Sequence, residues 1–364
     1  MNRLERLRAA LPKHQIDGLL VSQPESRYYL SGYTGHDLPP RDSAGYLLIT
    51  AEKALLLTDA RTTQQAEHEA PAFEVVGYGA SARGPDAVAE TANKLGARRL
   101  GFESIHLPYG LWQEIGTHLT GVELTPVKQV IDELRVVKDP DELQHLQDAI
   151  DVLDRCLAET LARLEPGLTE RQVARTIEAY LLEHADGPSF PSIVASGPNA
   201  SIPHAVPTER RIAAGEGIKI DIGARSAGYC SDMTRTVCLG QPKDPKLVEL
   251  HALVLDAQEH AEQRLRPGMT GKEGDSLSRD VIVRAGYGES FTHSLGHGIG
   301  LEVHEPPWLS QLRGQQRLDP GMVFSVEPGV YLPGWGGVRI EDLVVLEESG
   351  ARVLSQSPKT LILD

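Results

Sequence analysis

The chain has 364 residues, enough for two domains or one large α/β domain with a sizeable core. Acidic residues outnumber basic ones by 51 to 36, and the net charge of −15 disfavours a nucleic-acid backbone or an anionic membrane surface as the main partner. No stretch approaches the roughly 18 consecutive apolar residues of a membrane span, and Arg3, Glu5, Arg6 and Arg8 stand where a signal peptide needs an apolar run. Cys156, Cys230 and Cys238 form no CxxC pair and no disulfide framework. The expectation is a soluble, cytoplasmic protein with neither nucleic acid nor membrane as partner.

In the N-terminal third, helical and strand-like segments alternate. Asn2 to Leu11 reads as a helix, Asp17 to Ser22 as a short buried strand and Pro24 to Leu30 as a helical turn. Ala44 to Thr50 and Ala54 to Thr58 read as a hairpin around Glu52-Lys53, followed by a helix within Ala60 to Ala70 and a strand at Phe73 to Tyr78. Helices over Pro85 to Leu95 and Pro108 to His118 flank a strand at Leu100 to Phe102. This third is a modest α/β layer without a nucleophile, phosphate loop or metal cluster. The polar loop Gly32 to Asp42 differs in character, carrying His36, Asp37 and Arg41 between turn formers. Such loops are solvated connections or reach a neighbouring active site.

A boundary follows at Leu134 to Leu143. Asp139 is a good N-cap, Pro140 suits the first helical position and Glu142 completes a capping box. Leu143, Leu146, Ile150, Leu153, Leu157, Leu161 and Leu164 then recur at helical spacing and form a core stripe. Beyond it the chain repeats itself. LEPGLTERQ from Leu164 resembles LRPGMTGKE from Leu265, an offset of 101 residues, and the same offset aligns Gly187-Pro188-Ser189-Phe190 with Gly288-Glu289-Ser290-Phe291. Thr169 and Thr270 each cap a helix, so the expectation is a duplicated helix-then-strand unit with its site between the halves.

The acids of these halves fall into hairpins. Ile218, Ile220 and Ile222 alternate with Lys219 and Asp221, and a second strand runs from Tyr229 to Val237. Pairing Asp221 with Asp232 closes the loop around Ser226-Ala227. Downstream, pairing Glu327 with Glu341 centres the PGWGG turn on Gly334. Directly opposed residues share a face with Cβ atoms about 4.5–5.5 Å apart, so each acid pair needs a cation or a shared proton. Between the hairpins lies FTHSLGHGIGLEVHE, Phe291 to Glu305, with His293, His297 and His304 among glycines. Imidazoles at this density suit a metal or proton-transfer site, or are satisfied in an ordinary loop; the GxGxxG spacing of a dinucleotide loop is absent. Four acids and one histidine are enough for two divalent ions about 3.5–4 Å apart.

KIDIGARSAGYCSDMTRTV, FTHSLGHGIGLEVHEPP, SVEPGVY and GVRIED resemble, in order and spacing, the "pita-bread" metallopeptidases (family M24), the group of prolidase and aminopeptidase P. The resemblance extends over the chain and implies a small α/β N-terminal domain, residues 1–130, before a pseudo-symmetric catalytic domain, residues 131–364, α/β (α+β) in class. Carried over by position, it implies that Asp221 binds one metal, that Asp232 and Glu341 bridge two, and that His297 and Glu327 bind the second. His204, His293 and His304 match non-ligand histidines that contact substrate and stabilise the developing oxyanion. Arg339 matches an arginine near the proline side of the substrate; otherwise it is an ion-pair partner of Asp342 or a bridging acid.

The implied reaction is hydrolysis of the bond between an N-terminal residue and proline. Glu327 would relay the proton, His204 and His304 would serve the leaving nitrogen, and Trp308 or Tyr331 would contact the ring. Mn²⁺ or Co²⁺ is favoured by the resemblance, with Zn²⁺ possible. Two other readings are a methionine-aminopeptidase-like exopeptidase and a non-catalytic module that binds peptides. The choice between dipeptides and longer substrates stays open at this point. The resemblance also implies a homodimer or higher oligomer in which His36 to Arg41 of one subunit roofs the other's cleft.

Overall fold

A computed structural model describes residues 2–37, 43–79 and 83–363. The chain divides into two compact units, Met1–Leu134 and Arg135–Asp364. Among the described residues, no helix is long and apolar enough to cross a membrane.

The first unit is built on one six-stranded sheet. Its strands are β1 (Gly18–Val21), β2 (Tyr46–Thr50), β3 (Ala54–Asp59), β4 (Glu74–Tyr78), β5 (Arg99–Glu103) and β6 (Glu123–Val127), in the order β4-β3-β2-β1-β5-β6. The pairs β1/β2 and β2/β3 are antiparallel and the rest parallel, so the layer is mixed. Leu20, Leu48, Leu57, Val88, Leu100 and Ile115 fill its core. The edge strand β6 has no apolar alternation to announce it, and Pro126 is tolerated there because an edge leaves an N–H unused. Arg27, wholly buried, donates to Asp37 (2.8 Å) and to the carbonyls of Gly35 (2.7 Å) and Gly45 (2.8 Å). Asp37 is thus tied into its own unit while His36 stays exposed. Residues 38–42 of the polar loop, Arg41 among them, lie outside the described residues.

The second unit shows the internal duplication. Each half opens with two helices, Pro140–Ala162 with Glu170–His184, and Pro245–Arg264 with Gly271–Arg284. Asp139 caps the first of these by accepting from Glu142 N at 2.9 Å, while Glu142 returns a bond to Asp139 N at 3.0 Å. Thr169 and Thr270 cap the second helix of each half in the same way, and each forms a backbone bridge, to Arg211 and Arg317 respectively.

The strands follow as β7 (Gly187–Pro188), β8 (Ile193–Ser196), β9 (Gly217–Ile222), β10 (Ala224–Ser226), β11 (Tyr229–Cys230) and β12 (Met233–Leu239). The second half supplies β13 (Gly296–Gly298), β14 (Glu305–Leu309), β15 (Val323–Val326), β16 (Gly329–Leu332), β17 (Gly336–Arg339), β18 (Asp342–Glu347) and β19 (Gly350–Val353), and β20 (Ile362–Leu363) closes the chain. Two sheets carry the unit, β20-β12-β9-β8 and β14-β13-β15-β18-β19. The copies diverge after their second helices. Gly187-Pro188 pairs with β10, whereas Gly288–Ser290 forms a 3₁₀ turn and the corresponding hairpin of the second half, β16/β17, makes a two-stranded sheet of its own.

The registers decide where the acids stand. Asp221 pairs with Thr234, two residues from the Asp232 partnership expected from the sequence. The cause is local: β10 and β11 peel away as their own hairpin around Ala227 (φ 48°) and Gly228 (φ 80°), conformations that a two-residue type I′ turn requires. Ser231 N donates to Ala224 O at 2.7 Å and fixes the base of that hairpin, which leaves Asp232 one step before β12. The second hairpin follows the expected register. Val326 pairs with Asp342 and Gly329 with Arg339, so Glu327 and Glu341 oppose each other in the step between the two ladders.

Asp139→Ala should cost about 1 kcal/mol, the usual value of a lost N-cap, because it leaves helix N–H groups without their acceptor. Urea denaturation of the variant beside the parent checks this; unchanged stability would mean that the cap contributes nothing.

Candidate active site

On β9, Ile218, Ile220 and Ile222 face one core cluster, and alternation sends Lys219 and Asp221 to the other side. Thr234 stands directly across from Asp221 and gives its hydroxyl to Glu341 Oε2 at 2.7 Å. The backbone N–H of Glu341 returns to Thr234 O at 3.0 Å, which stitches the second hairpin onto the first. His297, in the middle of β13, places Nε2 at 3.3 Å from Glu327 Oε1 and 3.8 Å from Asp232 Oδ2. Donor atoms of Asp232, His297 and Glu341 lie within 4.8 Å of one another, all three residues buried. Asp221 joins them through Arg339, whose guanidinium donates to its carboxylate, to Thr234 Oγ1 (3.0 Å) and to Tyr331 OH (2.7 Å). Asp221, Asp232, His297, Glu327 and Glu341 therefore share one linked cluster.

The glycines around His297 are required by close packing. A Cβ on Gly296 would lie 1.9 Å from Ser325 O, and one on Gly298 would lie 2.1 Å from Pro306 O. Backbones on both sides of β13 approach too closely for any side chain. His297 N donates to Ser325 Oγ at 3.1 Å, and its Nδ1 lies 3.1 Å from Gly298 O, which leaves Nε2 aimed at the acids.

The electrostatics point to a missing cation. Burial first, and then the charges of Glu341, Asp221 and Glu327, push the Asp232 carboxyl well above the usual range. Glu341 is raised for the same reasons, burial followed by Glu327 and Asp221. Burial opposes ionisation of Glu327 too, but the hydrogen bond and charge of His297 outweigh it and bring that group down to about 2. Among the described residues, Asp221 Oδ1 and Glu341 Oε1 are buried without a hydrogen-bond partner. Buried carboxylate oxygens left bare are costly, and a coordinated cation removes that cost. Four carboxylates and one imidazole fit divalent metal ions of the oxygen- and nitrogen-binding kind.

Three more histidines surround the cluster. His293 Nε2 lies 2.9 Å from Tyr331 OH, and burial lowers its pKa to about 4. The His304 ring centre is 4.2 Å from that of His297, and partial enclosure, followed by the neighbouring imidazole, lowers it to about 4 as well. His204 is exposed and follows the turn Gly197–Ser201. The five ligand candidates thus share one cluster, with His293 and His304 beside it and His204 on the exposed segment that follows the turn.

Residues 144–348 match the family model described as metallopeptidase family M24, and residues 3–137 match the creatinase/prolidase N-terminal domain. The chain belongs to metallopeptidase family M24. It is 42% identical over 362 residues to the uncharacterized peptidase YqhT of Bacillus subtilis, covering 99% of each chain. In structure it is similar to an Xaa-Pro dipeptidase from Bacillus anthracis, with a TM-score of 0.93, 39% identity and 99% of each chain covered. It is also similar to an X-Pro aminopeptidase from Thermotoga maritima, with a TM-score of 0.88, 36% identity and 100% of each chain covered. The two-part architecture expected from the motifs, an α/β unit followed by a pita-bread unit, holds.

One expectation for this M24 chain needs correction. Arg339 does not pair with Asp342, whose carboxylate is taken by Arg235 (2.7 Å) and Lys359 (2.6 Å); its partner is Asp221. Other contributors were not singled out by the sequence reading. Thr234 could have been found from alternation, since it shares the acidic face of the β9/β12 ladder with Asp221 and with Lys219, which alternation had already placed there. Arg279 and Asp275, four residues apart on one helix, grip the histidine segment: Arg279 donates to His293 O (2.6 Å), and Asp275 accepts from Leu295 N (2.8 Å).

Glu305, beside His304, is buried against Arg135 and Lys138, with Lys138 Nζ at 2.7 Å. Burial resists its ionisation, yet those two cations hold its carboxyl below the usual range. Only folding brings these residues, about 170 positions apart in the chain, together. Glu305→Gln should destabilise the fold by about 3–5 kcal/mol, because it removes the carboxylate that buried Lys138 and Arg135 share, Arg135 retaining Glu302 at 3.1 Å. Equilibrium unfolding of the purified variant measures the loss, and a change under about 1 kcal/mol would show that the pairing is not a structural support.

Proposed function

We propose that the protein is a dinuclear-metal exopeptidase that hydrolyses the bond between an N-terminal residue and proline. The observation that carries this reading is the buried meeting of Asp232 and Glu341 with His297, joined by Glu327 at 3.3 Å from the imidazole and by Asp221 through Arg339, with bare oxygens on Asp221 and Glu341. The Xaa-Pro dipeptidase and X-Pro aminopeptidase named among similar structures support the substrate class. In this reading Asp221, Asp232, His297, Glu327 and Glu341 would together hold the two metal ions. Bound metals supply Lewis acidity that makes water nucleophilic near neutral pH and polarises the scissile carbonyl. Mn²⁺ or Co²⁺ is the favoured ion, with Zn²⁺ as the alternative.

The protein's own groups do the rest. Glu327 accepts the proton of the attacking water and relays it towards the leaving nitrogen, to which His204 and His304 are the donors. Before proline that nitrogen belongs to a tertiary amide without an N–H, so it must be protonated as the bond breaks. His204 and His304 face this step from the exposed side. His293, steadied by Tyr331, supports the developing oxyanion. Arg339 holds Asp221 and lies towards the proline side. Trp308, the cross-strand partner of His297, is better suited to contact the proline ring than Tyr331, whose hydroxyl is already engaged by Arg339 and His293. We place the enzyme in the cytoplasm as a homodimer or higher oligomer.

The functional test is metal analysis of the purified protein together with hydrolysis of Gly-Pro and Ala-Pro beside Ala-Pro-Ala. Cleavage of the dipeptides alone assigns a dipeptidase, and cleavage of the tripeptide assigns an aminopeptidase. A metal-free protein that cleaves none of them would sink the proposal and favour a peptide-binding module; release of N-terminal methionine without a following proline would favour the methionine-aminopeptidase reading.

Glu327→Gln should keep near-normal KM while kcat falls about 10²–10⁴-fold, the usual loss of acid–base catalysis. Metal content must be measured on the same sample, because full activity with full metal would rule out the proton relay. Metal binding should also tighten with rising pH. Asp232 and Glu341 retain protons above the usual carboxylate range, and an incoming cation must expel them. Calorimetric titration with Mn²⁺ between about pH 5 and about pH 8, in buffers of different ionisation enthalpy, should show proton release and stronger binding at higher pH. Affinity independent of pH would contradict this electrostatic account.

A further inference from the structure

A lysine at position 219 is poorly explained by the fold. The side chain is wholly buried on β9, two residues before Asp221, where an aliphatic residue would cost far less. Its amine lies 5.2 Å from the centre of the Tyr331 ring. Its two hydrogen bonds go to main-chain carbonyls, Ile202 O at 2.6 Å and Pro203 O at 2.9 Å. Arg339 reinforces the second of these, donating to Pro203 O at 3.2 Å. These bonds need only two N–H groups, which the side chain has as an amine or as an ammonium.

Ile202 and Pro203 immediately precede His204. The segment leaves the Gly197–Ser201 turn by way of the Ile202 N to Asn199 O bond of 3.0 Å, with Ile202 at 53% and Val206 at 80% exposure and Ala205 buried against Ala195 and Ala200. The His204 ring makes no hydrogen bond among the described residues. Its direction is therefore set by the backbone on either side, by Ala205 after it and by the Ile202 and Pro203 carbonyls before it.

We propose that Lys219, assisted by Arg339, is a positioning residue that clamps the Ile202–Pro203 backbone and so aims His204 at the leaving nitrogen. This rests on the reading of His204 as a proton donor. Lys219 touches neither substrate nor the reacting atoms and acts through His204 alone. A carbonyl displaced by about 1 Å would carry the imidazole with it, and misplacement on that scale costs up to about 10²-fold in rate.

The test is a double-mutant cycle in the metal-loaded enzyme with Ala-Pro as substrate, using Lys219→Met, His204→Ala and the pair. Lys219→Met should lower kcat about 10- to 100-fold, with KM and metal content close to the parent. In the His204→Ala background the same change should have no further effect, because the group it positions is gone. Equal losses in both backgrounds would overturn the proposal and make Lys219 a support of the metal cluster or of the fold. Full kcat in His204→Ala would remove both the donor role and the clamp while leaving metal-dependent hydrolysis intact. Hydrogen exchange gives a readout without turnover: Lys219→Met should speed exchange across residues 199–206 and leave the β9/β12 ladder protected, and unchanged exchange there would overturn the clamp. Should the Met variant not fold, Lys219→Gln, which keeps donors but is one atom shorter, serves in the same cycle.

Discussion

The second unit depends on one constraint: acids that repel each other are buried together. Asp221, Asp232, Glu327 and Glu341 lie on the inner faces of two hairpins, where water cannot screen them. A fold left with that arrangement alone would expel at least one of them or protonate it, and Asp232 and Glu341 show the second tendency. Everything around them mitigates the repulsion. Arg339 neutralises Asp221, His297 shares a charged contact with Glu327, and Thr234 satisfies one oxygen of Glu341. The oxygens still bare after these partners are counted are what make a divalent cation the natural completion of the site.

The duplication explains how such a cluster can be assembled at all. A single hairpin offers a directly opposed acid pair and little more, because neighbouring positions along each strand turn to the other face. Two halves that each supply helices and a hairpin can present acids from both sides, joined where Thr234 of β12 meets Glu341. The halves use this differently. The first inserts β10/β11 and keeps one register from Ser226↔Tyr229 to Asp221↔Thr234, so Asp232, one step before β12, does not stand opposite Asp221. The second inserts β16/β17, again in one register, and opposes Glu327 and Glu341 across the step between its ladders.

Much of this was legible in the sequence, and the failures have physical causes. Capping boxes at Asp139, Thr169 and Thr270 are local signals, and all three helices begin where those residues stand. The Gly334 turn was readable because a short loop between two ladders fixes the register of both. The Asp221 register was misread because the turn centres on Ala227-Gly228, one residue later than Ser226-Ala227, and a shift of one in the turn moves every cross-strand partner by two. The exposed edge strand β6 went unnoticed for want of a buried face. Partnerships such as Arg135 with Glu305, or Arg339 with Asp221, depend on which surfaces meet in three dimensions, so no spacing in the chain encodes them.

The groups around the cluster divide by what they must do. Those that hold charge in place are buried and multiply bonded: Arg339 has several acceptors, Thr234 bonds two of the cluster's side chains, and Lys219 spans two carbonyls. Those read as meeting substrate, His204 and His304, are exposed, and His304 has its basicity lowered by partial burial and then by the adjacent His297 ring. A site made wholly of the first kind would be rigid and unable to exchange protons. One made wholly of the second could not keep four acids together. Splitting an Xaa-Pro bond requires both properties, because the nitrogen that leaves has no hydrogen of its own and must receive one while the carbonyl is still held. In the proposed reading, His204 delivers that proton in a defined direction because the Ile202 and Pro203 carbonyls before it are tied to Lys219 in the buried network beneath.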